Sequence, residues 1–370
     1  MTDDATPDHL DAFAAGYAEA RAKFMLAAVQ AGATLHSYVH PAAFGPDGGS
    51  LACDVAVLGG PAASKALVVV SGTHGLEGYT GSAAQILLLR SEIPARLPAD
   101  TLIVLIHAIN PWGFAHSSRT TENNVDLNRN FIDHAQHPRN PLYRELHDMI
   151  CLEQWTEVAH GAAVQALEDW TRHNGADRRN QAIVAGQYSH PQGRMFGGMH
   201  SEWSNLTLQS IARKHLCGVD RIAFIDWHTG LGRFGEEFFL CFNQPGSDPY
   251  RRCIDWWGRE RIETDQGFEG AARPRYQGLL FDGLSAFVRP AQLAGAVIEF
   301  GTRSNAQMDV ALMIDYWLKF GDTAAAPDRV AVLRHELLQA FYPCEPQWRQ
   351  SVAARALAIQ RQAFAGLLSW

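Results

Sequence analysis

The sequence predicts an α/β fold whose central strands are buried on both faces. Three observations point to it. Val68, Val69 and Val70 form an uninterrupted β-branched run, and Thr101–Ala108 (TLIVLIHA) is almost wholly apolar, as strands covered on both sides must be. Segments with helical spacing separate such runs. Residues of metal-ligand type stand just past strand ends, which is where ligands bind in open α/β sheets.

Composition bounds the answer. The chain has 370 residues, 47% of them hydrophobic, enough for a sizeable core. Charged residues make up 19% and the net charge is −8, with no basic run to attract nucleic acid or an anionic membrane. The start carries Asp3, Asp4, Asp8 and Asp11 with no Lys or Arg before Arg21, unlike a secretory leader. No apolar stretch approaches the roughly 20 residues that span a bilayer. Cys53, Cys151, Cys217, Cys241, Cys253 and Cys344 are scattered singletons, which read as reduced, mostly buried thiols of a cytoplasmic protein. No repeat, low-complexity linker or composition break divides the chain, so a single domain over 1–370 is expected.

The elements follow in order. Leu10, Phe13, Tyr17, Ala20 and Phe24 recur at helical spacing, predicting an amphipathic opening helix. Thr34–Val39 and Leu51–Leu58 read as strands flanking Val68–Val70. The run from Val68 stops at Ser71-Gly72-Thr73, and His74-Gly75-Leu76-Glu77-Gly78 leads into a helix over Thr80–Arg90. The strand Thr101–Ala108 runs into Asn110-Pro111-Trp112-Gly113-Phe114, a turn by its Asn, Pro and Gly. Residues 141–175 are helical in pattern. Gly186–Asn205 is rich in Gly and aromatics, and its length marks a functional or covering loop, with Tyr188, Met195, Phe196 and Trp203 as candidates to line the site or simply pack. A helix over Leu206–His215 leads to the strand Arg221–Trp227. A strand Glu237–Phe242, a helix Asp248–Ile262 and the strand Ala294–Phe300 come next. The tail is helical over Asn305–Phe320, around Val330–Phe341, and over Val352–Leu368.

Three strands therefore end in a histidine or a carboxylate: His74 with Glu77, His228, and Glu299. A catalytic zinc site takes three His or carboxylate ligands and keeps a position open for water. His74, Glu77 and His228 satisfy that count, leaving Glu299 as the base for the water such a metal activates. H-x-x-E alone recurs by chance, and a lone histidine after a strand is commonly a hydrogen-bonded structural residue. Glu299 is harder to set aside. It lies among Val297, Ile298 and Phe300, where a buried carboxylate needs a partner, either at a metal site or in a nearby Arg.

Taken together, H-G-x-E after one strand, N-P-x-G-F after the next, Arg119 nine residues before Asn128 within V-D-L-N-R-N-F, D-x-H-T-G, and I-E-F-G-T resemble the zinc metallocarboxypeptidase superfamily in content and order, from about Val68 to Thr302. The resemblance includes the cytosolic carboxypeptidases and the succinylglutamate desuccinylase and aspartoacylase branch. It implies a three-layer α/β/α fold of phosphorylase/hydrolase type with a mixed, mostly parallel sheet. It implies zinc held by His74, Glu77 and His228, Glu299 as general base and then acid, and Arg119 at the oxyanion. Asn128 and Arg129 would hold the substrate's carboxylate, and Asp126 would accept from the far nitrogen of His74. Tyr276, 23 residues before Glu299, is a candidate for the substrate-capping tyrosine on spacing, with an ordinary loop aromatic as the alternative. Two departures stand out: Leu76 replaces a residue often Arg or Asn in the family, and Trp112 replaces a common Asp. His107, His116, His190 and His200 receive no metal role, although His116 and His200 lie in loops able to approach the site.

The leading expectation is a zinc hydrolase cleaving an amide bond next to a free carboxylate, acting as a carboxypeptidase on a small peptide. An N-acyl amino acid deacylase shares the chemistry and differs in substrate. A binding module that kept the fold and lost turnover is a third reading, opposed by the presence of both Glu299 and Arg119. No nucleic-acid or membrane partner is expected.

Overall fold

The computed structural model describes residues 9–264, 268 and 272–370. The acidic start with Asp3, Asp4 and Asp8 lies outside them. Helix α1 (Tyr17–Gln30) precedes strands β1 (Thr34–Phe44), β2 (Ser50–Leu58) and β3 (Lys65–Ser71). Helix α2 (Gly78–Leu89), strand β4 (Thr101–His107) and the short α3 (Pro111–Ala115) follow. Four helices come next: α4 (Tyr143–Ile150), α5 (Glu157–Asn174), α6 (Ala176–Val184) and α7 (Trp203–His215). Strands β5 (Arg221–Phe234) and β6 (Glu237–Cys241) lead to α8 (Asp248–Trp257), α9 (Arg259–Ile262), α10 (Leu280–Phe287) and β7 (Gln292–Gly301). The chain closes with α11 (Asn305–Phe320), α12 (Pro327–Phe341) and α13 (Pro346–Leu368).

The strands form one seven-stranded sheet in the order β1-β2-β4-β3-β5-β7-β6. The centre, β4-β3-β5-β7, is parallel, and β2 and β6 pair antiparallel at its two sides. From β3 the chain moves to β4 on one side and then returns to β5 on the other, so the carboxyl ends of β3 and β5 flank a topological switch point. Both faces are covered. Leu67, Val69, Ile225, Trp227 and Ile298 pack with residues of α1, α2 and α13, and Val68, Val70, Ile222 and Phe224 pack with α7 and α10. This is the expected three-layer α/β/α arrangement.

The period-2 alternation of a strand decides what faces the site. Ile225 and Trp227 on β5, with Ala296, Ile298 and Phe300 on β7, face the α13 layer. Asp226, His228, Val297 and Glu299 therefore face the other side. His228 and Glu299 are register partners on neighbouring strands, which brings the two polar residues together.

Several boundaries differ from the sequence reading. The opening helix starts at Tyr17; Leu10 lies in a separate 3-10 turn, and Gly16 holds an extended conformation between them. Asn110–Phe114 is not a plain turn. Pro111 begins a helical turn whose N-terminus Asn110 caps by accepting from the Gly113 N–H at 2.9 Å. The helical stretch 141–175 is two helices, the second capped by Thr156. Helix 248–262 breaks at Gly258, whose φ of 92° an L side chain rarely adopts. Strand β5 runs on to Phe234, so His228 lies inside the strand rather than in a loop after it. The six cysteines are all unpaired, with Cys217 and Cys344 exposed and the other four buried. Among the described residues, no helix is long and apolar enough to cross a membrane.

Candidate metal centre and active site

At the end of β3, Gly72 turns the chain with φ 69°, and His74 precedes a 3-10 turn over Gly75–Glu77. Gly75 allows α3 to approach: a Cβ there would lie 2.0 Å from the Gly113 carbonyl carbon. The turn is fixed to the segment carrying Arg119. The Gly75 N–H donates to Arg119 O at 3.2 Å and the Leu76 N–H to Ser118 O at 3.0 Å.

His74, Glu77 and His228 converge, all buried. His74 Nδ1 lies 3.0 Å from Glu77 Oε1 and 3.1 Å from His228 Nδ1, and His228 Nδ1 lies 2.9 Å from Glu77 Oε2. Each imidazole has a carboxylate behind it: His74 Nε2 is 3.2 Å from Asp126 Oδ1, and His228 Nε2 is 2.9 Å from Asp226 Oδ2. With a proton on each Nε2 held by its aspartate, both neutral rings would turn an Nδ1 lone pair to the centre, where the Glu77 carboxylate also points. Two lone pairs 3.1 Å apart beside a carboxylate repel one another unless a cation lies between them. Ligands about 2.0–2.1 Å from a tetrahedral ion are themselves about 3.3 Å apart, so the donor set and its spacing fit a metal ion. Among the described residues it is the one group of three or more His, Cys, Asp or Glu placed to hold one. His116 bonds to Phe44 O, and His107 to Ser82.

Asp126 is a hub. It caps the 3-10 turn Leu127–Arg129, accepting from the Asn128 N–H at 3.0 Å. Its Oδ2 accepts from Arg119 Nε at 3.1 Å. Burial alone would raise the Asp126 pKa, but the charges of Arg119 and Arg129 and the His74 contact hold its carboxyl well below the usual range. Arg119 Nη1 also reaches Glu77 Oε1 at 3.4 Å, so the guanidinium stands beside the ligand set. Glu299 is buried, and its Oε2 accepts from the Leu231 N–H at 3.4 Å. Burial, with the Glu77 charge adding to it, pushes its carboxyl up to about 7.

A cleft of about 290 Å³ joins these groups: His74, Glu77, Arg119, Asn128, Arg129, His228, Tyr276 and Glu299 all line it. Asn128 Oδ1 accepts from the Leu280 N–H at 2.9 Å, which leaves its NH₂ for the cleft. Arg129 is more deeply engaged than the sequence suggested. Its Nε and Nη2 donate to Val184 O at 3.1 and 2.5 Å and its Nη1 to Asn128 O at 2.7 Å. One N–H then remains on each terminal nitrogen. The guanidinium lies 5.2 Å from the centre of the Tyr276 ring.

A family model described as "Protein of unknown function (DUF2817)" matches residues 13–355. The chain belongs to that family. No curated protein sequence matches this DUF2817 chain. It is similar to several solved structures. A metallo-carboxypeptidase from Burkholderia cenocepacia shares 12% identity over 94% of this chain and 69% of that one, with a TM-score of 0.45. The carboxypeptidase A from Helicoverpa armigera shares 14% over 93% and 73%, at 0.44. A metallo-carboxypeptidase from Pseudomonas aeruginosa, in complex with (2-guanidinoethylmercapto)succinic acid, shares 15% over 91% and 68%, at 0.38.

The sequence reading of this DUF2817 chain missed some of what surrounds the site. Asp226 stood in D-x-H-T-G without a role, although its alternation with His228 on one strand face was legible. Helix α6 was not foreseen, yet Ala176, Arg179 and Val184 form a wall of the cleft. The stretch Gly186–Asn205 is not a cover over the site; of its residues only Met195 lines the cleft. It is a cradle for the segment that carries Asn128 and Arg129. Phe196 O accepts from the Asp126 N–H at 2.7 Å, Gly197 O and His200 O accept from Asn130 Nδ2, and Tyr188 OH donates to Arg129 O at 2.6 Å.

Proposed function

We propose that the protein is a zinc-dependent hydrolase that cleaves an amide bond next to a free carboxylate, with carboxypeptidase action as the first reading. The observation that carries it is one cleft containing a metal-fitting His74–Glu77–His228 set, a buried Glu299, and Arg119 and Arg129. Zinc at those three residues would supply a Lewis acid that makes water a nucleophile near neutral pH, lowering its pKa to about 7.

The chain's own groups do the rest. The Asn128 amide and the two free N–H groups of Arg129 bind the substrate's terminal carboxylate, a planar acceptor suited to a guanidinium. Tyr276 closes over that anchor. Arg119 faces the carbonyl oxygen as it gains charge, and losing one such donor typically costs about 10²–10³ in rate. Glu299 takes a proton on its carboxylate from the attacking water and returns it to the departing amine. Asp126 and Asp226 keep both imidazoles turned with Nδ1 to the centre.

The test is metal analysis of protein purified without chelator, followed by the Glu299→Ala variant in zinc-loaded form. One tightly held zinc per chain is expected, with amide hydrolysis reduced by at least about 10²-fold in the variant, as for loss of a general base. Undiminished hydrolysis would overturn the mechanism, and absence of zinc would favour a binding module.

A further inference from the structure

Two charged residues of α11, Asp315 and Lys319, take no part in the chemistry above, yet both are turned onto the loop that carries Arg119. They stand four residues apart, about one helical turn, and so share a face. Asp315 is buried, and its Oδ2 accepts from the Arg119 N–H at 3.3 Å. The Lys319 ammonium bonds the Thr120 hydroxyl oxygen, donates to Asn124 Oδ1 at 3.5 Å and stands 5.4 Å from the centre of the Trp112 ring. Burial lowers the Lys319 pKa, and the Asp315 charge opposes that fall, so the carboxylate supports the charged ammonium beside it.

The loop has need of such partners. Residues 116–126 lie between α3 and a 3-10 turn and form neither helix nor strand, so their backbone groups have no helix or sheet ladder to join. Asp126 fixes the Arg119 side chain through Nε at 3.1 Å, and Asp315 fixes its backbone. The same loop holds the turn that bears His74 and Glu77: Arg119 O and Ser118 O accept from the Gly75 and Leu76 N–H groups. Leu76 lies in an apolar cluster to which α11 gives Met308, Ile314 and Trp317. The two departures noted in the sequence, Leu76 and Trp112, thus both fall in the surroundings of α11. The helix is a firm base, starting in a capping box at Ser304 and Gln307 and burying Met313, Ile314 and Trp317.

We propose that Asp315 and Lys319 are positioning residues: through them α11 clamps the Arg119 loop and sets where the guanidinium stands beside Glu77, 3.4 Å from its Oε1. The effect on turnover rests on the hydrolase reading; the clamp does not. An ionised acceptor makes a hydrogen bond roughly twice as strong as a neutral one, and without Asp315 the Arg119 N–H loses its partner. The Asn128 and Arg129 anchor is bonded elsewhere, to the Leu280 N–H and to Val184 O, so substrate binding is spared. A shifted Arg119 instead weakens the charge developed on the carbonyl oxygen, and the loss falls on kcat.

Four variants of the zinc-loaded full chain test this: Asp315→Ala, Asp315→Asn, Lys319→Met and Lys319→Arg. Amide hydrogen exchange is followed by mass spectrometry over residues 74–77 and 117–121. Turnover is read with N-acetyl-alanyl-leucine and N-acetyl-leucine, two blocked amides with a free carboxylate. Asp315→Ala and Lys319→Met are expected to speed exchange in those two segments about tenfold relative to the rest of the chain, and to lower kcat about tenfold with KM within about twofold. Asp315→Asn keeps an accepting oxygen and Lys319→Arg a donating cation, so each is expected to recover most of both losses. If Asp315→Ala does not fold, the Lys319 pair decides. Wild-type exchange in the two segments, an unchanged kcat, or conservative variants as damaging as the truncations would overturn the proposal. A wild type that turns over neither amide, with exchange responding as expected, would support the clamp and sink the hydrolase reading instead.

Discussion

Each histidine of the candidate metal centre leans on its own aspartate, but the two aspartates carry different loads. Asp226 touches His228 and the Thr73 hydroxyl, at 2.9 and 2.8 Å. Asp126 serves His74, Arg119 and the Asn128 N–H at once. Removing the charge at each should therefore give different results. Asp226→Asn is expected to weaken zinc affinity about 10–100-fold, the usual cost of losing a ligand's supporting carboxylate, with turnover of the fully loaded enzyme much less affected. Asp126→Asn is expected to weaken zinc similarly and also to lower kcat at saturating zinc, because Arg119 loses its carboxylate partner. Competition with a chromogenic chelator, followed by kinetics at saturating metal, separates the two effects. Equal kcat in the two loaded variants would show that Asp126 does not position Arg119.

At the scale of elements, the site depends on how closely α3 presses on the turn Gly75–Glu77. A Cβ at position 75 would meet Gly113 and Phe114 backbone atoms at 2.0–2.3 Å, and backbone cannot swing aside. Gly75→Ala is expected to destabilise the fold by at least about 1–3 kcal/mol, the range for overpacking, and to weaken zinc binding as the turn shifts. Urea unfolding and metal titration check it; wild-type values for both would mean that α3 yields easily. The same scale explains what was legible in the sequence. The parallel strands were readable because full burial forces continuous apolar runs, and the convergence of His74, Glu77 and His228 because polar residues stand where those runs end. The boundary of β5 was misjudged because His228 and Thr229 look like loop residues, although their alternation with Trp227 continues the strand. The cradle around Asn128 and Arg129 was hidden for a deeper reason. Apart from the Tyr188 hydroxyl, it works through the carbonyls of Val184, Phe196, Gly197 and His200, and any residue supplies a carbonyl. Helix α6 has only Ala182 and Ile183 buried, too few apolar positions to show a period.

Across the whole molecule, stability responds to pH through groups remote from the site. His107 on β4 is fully buried, stacked on Phe24 with ring centres 4.4 Å apart, and bonded to Ser82 at 2.9 Å. Burial pulls its pKa down to about 4. The unfolded chain binds a proton near 6.5 and the folded chain only near 4, so stability is full above about 6.5 and falls as pH drops towards 4. The loss attributable to this residue is roughly 3 kcal/mol, from about 1.4 kcal/mol per pKa unit. His107→Gln should flatten the stability profile between pH 4 and 6.5 relative to wild type, as followed by denaturant midpoints; parallel profiles would assign the slope elsewhere.

The pairing of β3 with β5 also sets a clock. Glu77, the later of the first two, is made 151 residues before His228, and Glu299 follows 71 residues later. At about 5–20 residues per second, a ribosome separates the first two ligands from the third by roughly 8–30 s. Through that interval the nascent chain holds only two of the three residues placed to hold a cation. A metal held by these residues would be captured tightly only once β5 docks beside β3, so its loading would be a late event in the life of a new chain and a readout of sheet completion.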